Sequence, residues 1–177
     1  MHPEGIIQAA QVGAHLATRH AAGDTIDAIY VTSLRRTAET AAPLAAAIGL
    51  EPVVERDLRE VFLGDWEGGR FREHVAAGDP IFTRVLTDER WDHIPNAEPL
   101  DEFDARLGAA IGRIAAAHPD QHVVVFSHGG VIGHLLHRAT SSRRFAFAAV
   151  DNASISEIAV GVFGWNARLY NQTSHLR

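Results

Sequence analysis

Ser127-His128-Gly129-Gly130 stands directly after four apolar residues, Val123–Phe126, and directly before a helical apolar pattern, Val131, Ile132, Leu135 and Leu136. A buried strand that ends in an imidazole and two glycines puts that imidazole at the carboxyl edge of a sheet, where open α/β folds hold their ligands. Glycines lack Cβ, so backbone N–H groups can come close to an anion at the start of the next helix. A second stretch, Thr32-Ser33-Leu34-Arg35-Arg36-Thr37-Ala38-Glu39-Thr40-Ala41, is built the same way, with two arginines in the first turn after a strand. The helix dipole already makes that turn positive, so two cations there predict an anion held between them and the amides. Arginine's planar fork suits phosphate oxygens. A third stretch, Asp57-Leu58-Arg59-Glu60 followed by Gly64-Asp65-Trp66-Glu67-Gly68, sets a carboxyl in a glycine-flanked loop beside an aromatic. Partial burial would raise the pKa of Glu60 and make it a proton donor.

Each stretch also has an ordinary reading when taken alone. A hydrogen-bonded histidine, a surface arginine pair with its stems packed on the sheet, and an exposed loop carboxylate account for them one by one. A serine hydrolase built on Ser127 fails, because Val125 stands where a G-x-S-x-G elbow needs its first glycine.

The elements that must position these groups are legible in outline. Pro3 opens a helix whose inner face is Ile6, Ala9, Ala10, Gly13, His15, Leu16 and Ala17. Ile26–Thr32 is a short buried strand, and Leu34 to Ile48 a helix with Gly49 as its C-cap and Pro43 as an interruption. Glu51–Val54 is a further strand, Arg56–Gly69 a loop, and Phe71–Asp88 a weakly patterned helix broken at Pro80. Trp91–Pro99 is irregular, and Leu100, Phe103, Leu107, Ala110, Ile111 and Ile114 mark a strong amphipathic helix ending near His118. Asn152–Val160 and Trp165–Tyr170 form a terminal β-hairpin around Gly161–Gly164. The expected architecture is one α/β domain over residues 1–177.

Composition excludes several classes of function. The 177 residues are 46% apolar and 21% charged, which suits a single globular domain. A net charge of −6 with scattered basic residues argues against a nucleic-acid surface. The absence of cysteine rules out thiolate catalysis and zinc sites with sulfur ligands. No apolar run is long enough to cross a membrane, and the N-terminus lacks the layout of a signal peptide, so the expected location is the cytoplasm. Eleven histidines are spread along the chain. His134 and His137 lie one turn apart, but with no HExxH pattern they read as surface or packing histidines rather than metal ligands.

Together the motifs resemble the histidine phosphatases with the phosphoglycerate mutase-like fold. TSLRRTAETA is similar to the family's S-P-L-x-R-A-x-Q-T-A, LREVFLGDWEG to L-x-E followed by G-x-x-E-G, and VFSHGG to V-x-S-H-G-G. HPEGIIQAAQVGAHLA resembles the family's first helix, and IPNAEPLDEFDAR its P-G-G-E-S-x-x-E-F-x-x-R segment, with Asn96-Ala97 and Pro99 as departures. The likeness runs through the whole chain in order. It implies a three-layer sheet with helices on both faces and a C-terminal hairpin. One departure outweighs the rest: no Arg-His-Gly triplet, the family's nucleophile at the end of its first strand, occurs in the sequence. The expectation is therefore a chain that begins after that strand, with ladder groups exposed on two neighbouring strands.

The resemblance also implies roles. Arg36 would clamp the phosphoryl oxygens, His128 would hydrogen-bond them, the Gly129 amide would help, and Glu60 would protonate the leaving oxygen and later activate water. No metal or cofactor is called for, because arginine, histidine and amides supply the positive field. Residues of about 69–99 would form a cap, with Arg70, Arg72, His74, Arg84 and Arg90 available for a substrate's second charge. The expected function is phosphomonoester hydrolysis of a small phosphorylated substrate. A mutase is disfavoured because it must exclude water with longer lids than this chain offers. As given, the chain is expected to turn over weakly or not at all. The alternative is a phosphate-binding pseudoenzyme or regulatory module of the same fold. A homodimer in which a neighbouring subunit covers the exposed strands completes the expectations.

Overall fold

The computed structural model describes residues 2–177. The chain runs α1 (Pro3–Ala21), β1 (Ala28–Val31), α2 (Arg35–Ile48), β2 (Val53–Val54), α3 (Arg70–Ala76), α4 (Pro80–Asp88), α5 (Leu100–Ala117), β3 (Val123–Phe126), α6 (Gly129–Thr140), β4 (Ile155–Gly161) and β5 (Gly164–Gln172). Short 3₁₀ turns at Arg56–Leu58, Gly64–Trp66 and Trp91–His93 shape the long connections. Among the described residues no helix is long and apolar enough to cross a membrane.

Strand alternation creates the layers. Ile29, Val31, Val124 and Phe126 pack with Val12 and Leu16 of α1 and Ala41 and Leu44 of α2. Tyr30, Val123 and Val125 turn the other way, onto the cluster built by Phe103, Leu107 and Ile111 of α5 and Val131 and Leu135 of α6. The parallel sheet has the order β2-β1-β3, with Val31 opposite Phe126. The ends of β1 and β3, and the starts of α2 and α6, therefore lie side by side. The antiparallel β4-β5 pair is a separate sheet. It nonetheless joins both cores, Ile155 on the α1–α2 side and Ile158 on the α5–α6 side. Among the described residues β3 ladders only with β1, and β4 only with β5.

Several sequence expectations need correction. On α1 the buried residues are Ala9, Val12, Gly13 and Leu16, while Ile6 and Ala10 are exposed. Helix α2 continues through Pro43, and Gly13 lets α1 come in against it there. A Cβ on Gly13 would lie 2.8 Å from that of Pro43. The strand expected at Glu51–Val54 shortens to Val53–Val54, an exposed edge pair. The weakly patterned stretch resolves into two helices, α3 and α4, with Asp79 capping the second through the amide of Ile81 at 2.8 Å.

Candidate active site

Two neighbouring strand ends bring the candidate residues together. Thr32 follows β1, Ser127 and His128 follow β3, and His128 is the residue before the first turn of α6. His128 is buried at 6% exposure, and both of its ring nitrogens are engaged. Arg36, in the first turn of α2, donates from Nε to His128 Nδ1 at 3.2 Å. Because Nδ1 must accept, the proton sits on Nε2, which donates to Thr32 Oγ1 at 2.9 Å. Thr37 closes the arrangement, with its hydroxyl 3.1 Å from that of Thr32 and accepting from the Thr32 amide at 3.1 Å. Burial, followed by the positive charges of Arg36 and Arg106, pushes the His128 pKa down to about 4. His128 is thus a neutral imidazole at neutral pH. Ser127 donates its hydroxyl to the Leu58 carbonyl at 3.0 Å, which ties the strand end to the loop below it.

Glu60 reaches the same place from that loop. Its carboxylate accepts from the Gly130 amide at 3.2 Å and from its neighbour Val61 at 3.0 Å. Glycine at 130 leaves room for this approach: a Cβ there would come within 2.5 Å of Glu60 Oε1 and push the carboxylate aside. The anion that α6's first turn attracts in this structure is therefore the chain's own glutamate. Burial raises the Glu60 pKa, against the pull of the Gly130 and Val61 amides and of Arg36. Trp66, the aromatic of the same loop, shares a cleft with Glu60, packs in a third cluster with Val85 and Ile94, and stacks on His74 at 4.3 Å between ring centroids.

Glu60 stands on a wall between two clefts. One, of about 290 Å³, is lined by Arg36 and Arg59 along with Glu60. The other, of about 240 Å³, takes Glu60, Gly129 and Gly130 on one side and Phe71, Trp91 and Phe145 on the other. A proton donor between a cleft that holds two arginines, with Glu67 also on its wall, and a cleft with an aromatic wall has the layout that breaking an ester of an anionic group requires.

The structure separates the two arginines of the sequence motif. Arg35 pairs with Glu39 on the surface at 2.6 Å and is 89% exposed, so the expectation of two cations around one anion does not hold. Adjacent helix positions point about 100° apart, and only Arg36 turns toward His128. Two cap candidates are already engaged as well, His74 with Asp79 at 2.7 Å and Arg90 with Asp92 at 2.6 Å. The other histidines are dispersed into local contacts, among them His122 with Asp24 and His134 with Asp104.

Sequence reasoning missed two sets of supporting residues. Thr32 and Thr37 orient His128, and they bracket the arginine motif. Arg106 braces the Glu60 loop by donating to the carbonyls of Asp57, Arg59 and Glu60. Glu98 holds Arg106 from the other side with both carboxylate oxygens and accepts from the Phe62 amide at 3.2 Å. The signal was the Glu98 and Arg106 pair of the IPNAEPLDEFDAR segment, which flanks the start of α5.

Comparison with known proteins places this geometry in a family. Residues 1–173 match the profile of the histidine phosphatase superfamily, branch 1. Phosphoglycerate mutase-like protein 4 of Arabidopsis thaliana is 33% identical over 94% of this chain and 73% of its own length. The fold superposes on a phosphoserine phosphatase from Entamoeba histolytica in complex with phosphoserine, with a TM-score of 0.82 at 20% identity over 100% of this chain and 86% of that one. It superposes also on the alpha-ribazole phosphatase of Shigella flexneri, with a TM-score of 0.76 at 23% identity over 97% and 84%. At those identities the two structures bear on the fold alone.

Proposed function

The chain belongs to the histidine phosphatase superfamily, and on that premise we propose that its site acts on phosphate monoesters of small molecules, as a phosphatase rather than a mutase. Arg36 clamps the phosphoryl oxygens, and His128, a neutral imidazole, donates its Nε2–H to them by exchanging Thr32 for a phosphoryl oxygen. The Gly129 amide, at the start of α6, is a further donor. Glu60 in its protonated form gives its proton to the leaving oxygen as the P–O bond breaks and the phosphoryl group passes to the nitrogen of a nucleophilic histidine, from which water later releases it by breaking the P–N bond. As a carboxylate it then takes a proton from the water that attacks phosphorus, and inorganic phosphate departs. Residues of about 69–99 serve as the cap over this site.

The observation that carries the reading is the position of Glu60, half-buried and shared by the Arg36 cleft and the apolar cleft. A general acid for ester cleavage has to stand where the phosphoryl group and the leaving group meet. The attack on phosphorus falls to a histidine, and no Arg-His-Gly triplet occurs in the 177 residues. Among the residues lining the two clefts the sole histidine is His134, whose Nε2 is held by Asp104 at 2.8 Å. We therefore expect phosphate binding with weak or absent turnover from these residues alone.

The lack of an Arg-His-Gly triplet favours a second reading, a phosphate-binding module without catalysis. The retained Glu60 argues for the enzyme, since a pure binder has no use for a proton donor. Hydrolysis of an aryl phosphate between about pH 5 and pH 8 separates them. The assay compares this chain with a form preceded by an added strand ending in Arg-His-Gly, designed to pair between β3 and β4. Turnover in the extended form only supports the phosphatase. Inactivity in both, with phosphate still bound, supports the binding module. Efficient turnover by the 177 residues alone would contradict the assignment of the nucleophile.

A further inference from the structure

We propose that the apolar cleft on the far side of Glu60 is the leaving-group site, and that it selects phosphate monoesters of aromatic alcohols and phenols over those of small charged molecules such as amino acids. This rests on the phosphatase reading above and names its substrate class.

The cleft's wall carries the argument. Trp91 and Phe145 lie with ring centroids 4.8 Å apart, and Phe71 meets Trp91 edge-on at 6.0 Å. Leu63 and Leu100 complete the apolar side. Aromatic rings favour offset and edge-to-face neighbours at these spacings, so a further ring fits the arrangement better than a flexible polar chain does. The volume of about 240 Å³ exceeds the roughly 150 Å³ that accommodates benzene in an engineered protein cavity, leaving room for a fused ring.

The charges around this cleft are largely committed. Glu89, on its wall, pairs with Arg143 through one oxygen and accepts from the Phe145 amide at 3.2 Å through the other. It therefore fixes the Phe145 loop, and its charge is already paired with Arg143 rather than waiting for a substrate ammonium. His134 is held by Asp104. Arg144 alone stands exposed at the rim without an ion pair among the described residues, placed to meet an acceptor on the outer edge of a ring. An amino-acid leaving group would need both a cation and an anion for its two charges, and the cleft supplies at most the cation. It would also leave the aromatic wall uncovered.

The continuity with Glu60 decides the occupant. Because Glu60 lines both clefts, a ring seated against Phe145 has its ester oxygen beside the carboxyl and its phosphoryl group on the Arg36 side. Apolar burial then contributes to binding at the point where the bond breaks.

Competition calorimetry on this chain tests the inference with 1-naphthyl phosphate, O-phosphoserine, inorganic phosphate and 1-naphthol. The expected result is 1-naphthyl phosphate bound about tenfold or more tightly than O-phosphoserine. Phe145→Ala and Trp91→Leu, checked for folding by circular dichroism, should each shrink that ratio several-fold. Equal or tighter binding of O-phosphoserine, or a ratio indifferent to both substitutions, overturns the aromatic assignment while inorganic phosphate binding leaves the phosphatase reading intact. Binding of 1-naphthol with none of inorganic phosphate would instead remove the phosphatase reading, and with it the leaving-group role of the cleft.

Discussion

Glu60 and Phe71 line the same clefts, yet different forces hold them. Behind Glu60 stand two backbone amides, a glycine whose Cβ would collide with it, and Arg106 gripping three carbonyls of its loop. His128 is fixed as tightly, between Arg36 and the hydroxyl of Thr32. Phe71 rests on a seven-residue helix with no buried residue, against the rings of Trp66, Phe82 and Trp91. Hydrogen bonds set direction, whereas apolar contacts are non-directional and tolerate exchange of shape. The groups assigned to chemistry are thus held in one geometry, while the surface assigned to selectivity can be re-cut without disturbing them.

That contrast can be broken at several points. The largest effect is expected from Arg106→Ala, which leaves Glu98 and the loop carbonyls unpaired. Its ion pair is nearly buried, with 14% and 10% of the two side chains exposed. Losing one partner of such a pair should cost about 3 kcal/mol, read as a lowered urea midpoint. Arg36→Gln touches an exposed residue, so the fold should survive while phosphate affinity falls on the order of 100-fold by calorimetry. Val85→Ala, at 0% exposure in the aromatic cluster, should cost about 2 kcal/mol and leave phosphate affinity within about twofold. An equal loss of affinity in Val85→Ala and Arg36→Gln would dissolve the distinction between the two regions.

The gentlest effect is a pH slope, at most about 1.4 kcal/mol per pH unit for one titrating group. Folded His128 takes its proton near pH 4, against 6.5 for an ordinary imidazole. The unfolded chain binds more protons between those values, so this residue's stabilisation is complete above 6.5 and is lost as the pH falls toward 4. Glu60 acts in the opposite sense. Its pKa is raised by burial, so the folded chain keeps that proton longer and loses stability as the pH climbs through the raised value. His128→Asn should flatten the acid-side slope of thermal unfolding and leave the Glu60 contribution in place.

How much of this was legible in the sequence follows from the range of the interactions. Strand β3 was readable to the residue, because VVVF is a local signal, while α6 begins at Gly129, two residues before the apolar pattern that announced it. The inner face of α1 was read a turn too far toward the N-terminus. Periodicity gives the direction of a face, but the extent of the partner helix decides which residues it covers. The pairing of Arg36 with His128 was implied only by family resemblance, since it spans 92 residues and depends on β1 and β3 lying parallel. The grip of Arg106 on carbonyls 46 to 49 residues away left no local signature beyond the Glu98 and Arg106 spacing. Arg35 and Arg36 looked alike in sequence and parted in space because neighbouring helix positions face different ways.

The central claim is that Arg36 and His128 form the seat of a phosphoryl group. Nitrogen-15 spectra of the histidine side chains, recorded while inorganic phosphate is titrated into this chain, address it most directly. The account predicts that His128 begins as the Nε2-protonated neutral form and that its signals shift with phosphate occupancy. In Arg36→Gln the same titration should leave them still. His128 signals unmoved at saturating phosphate, or a response identical with and without Arg36, would contradict it.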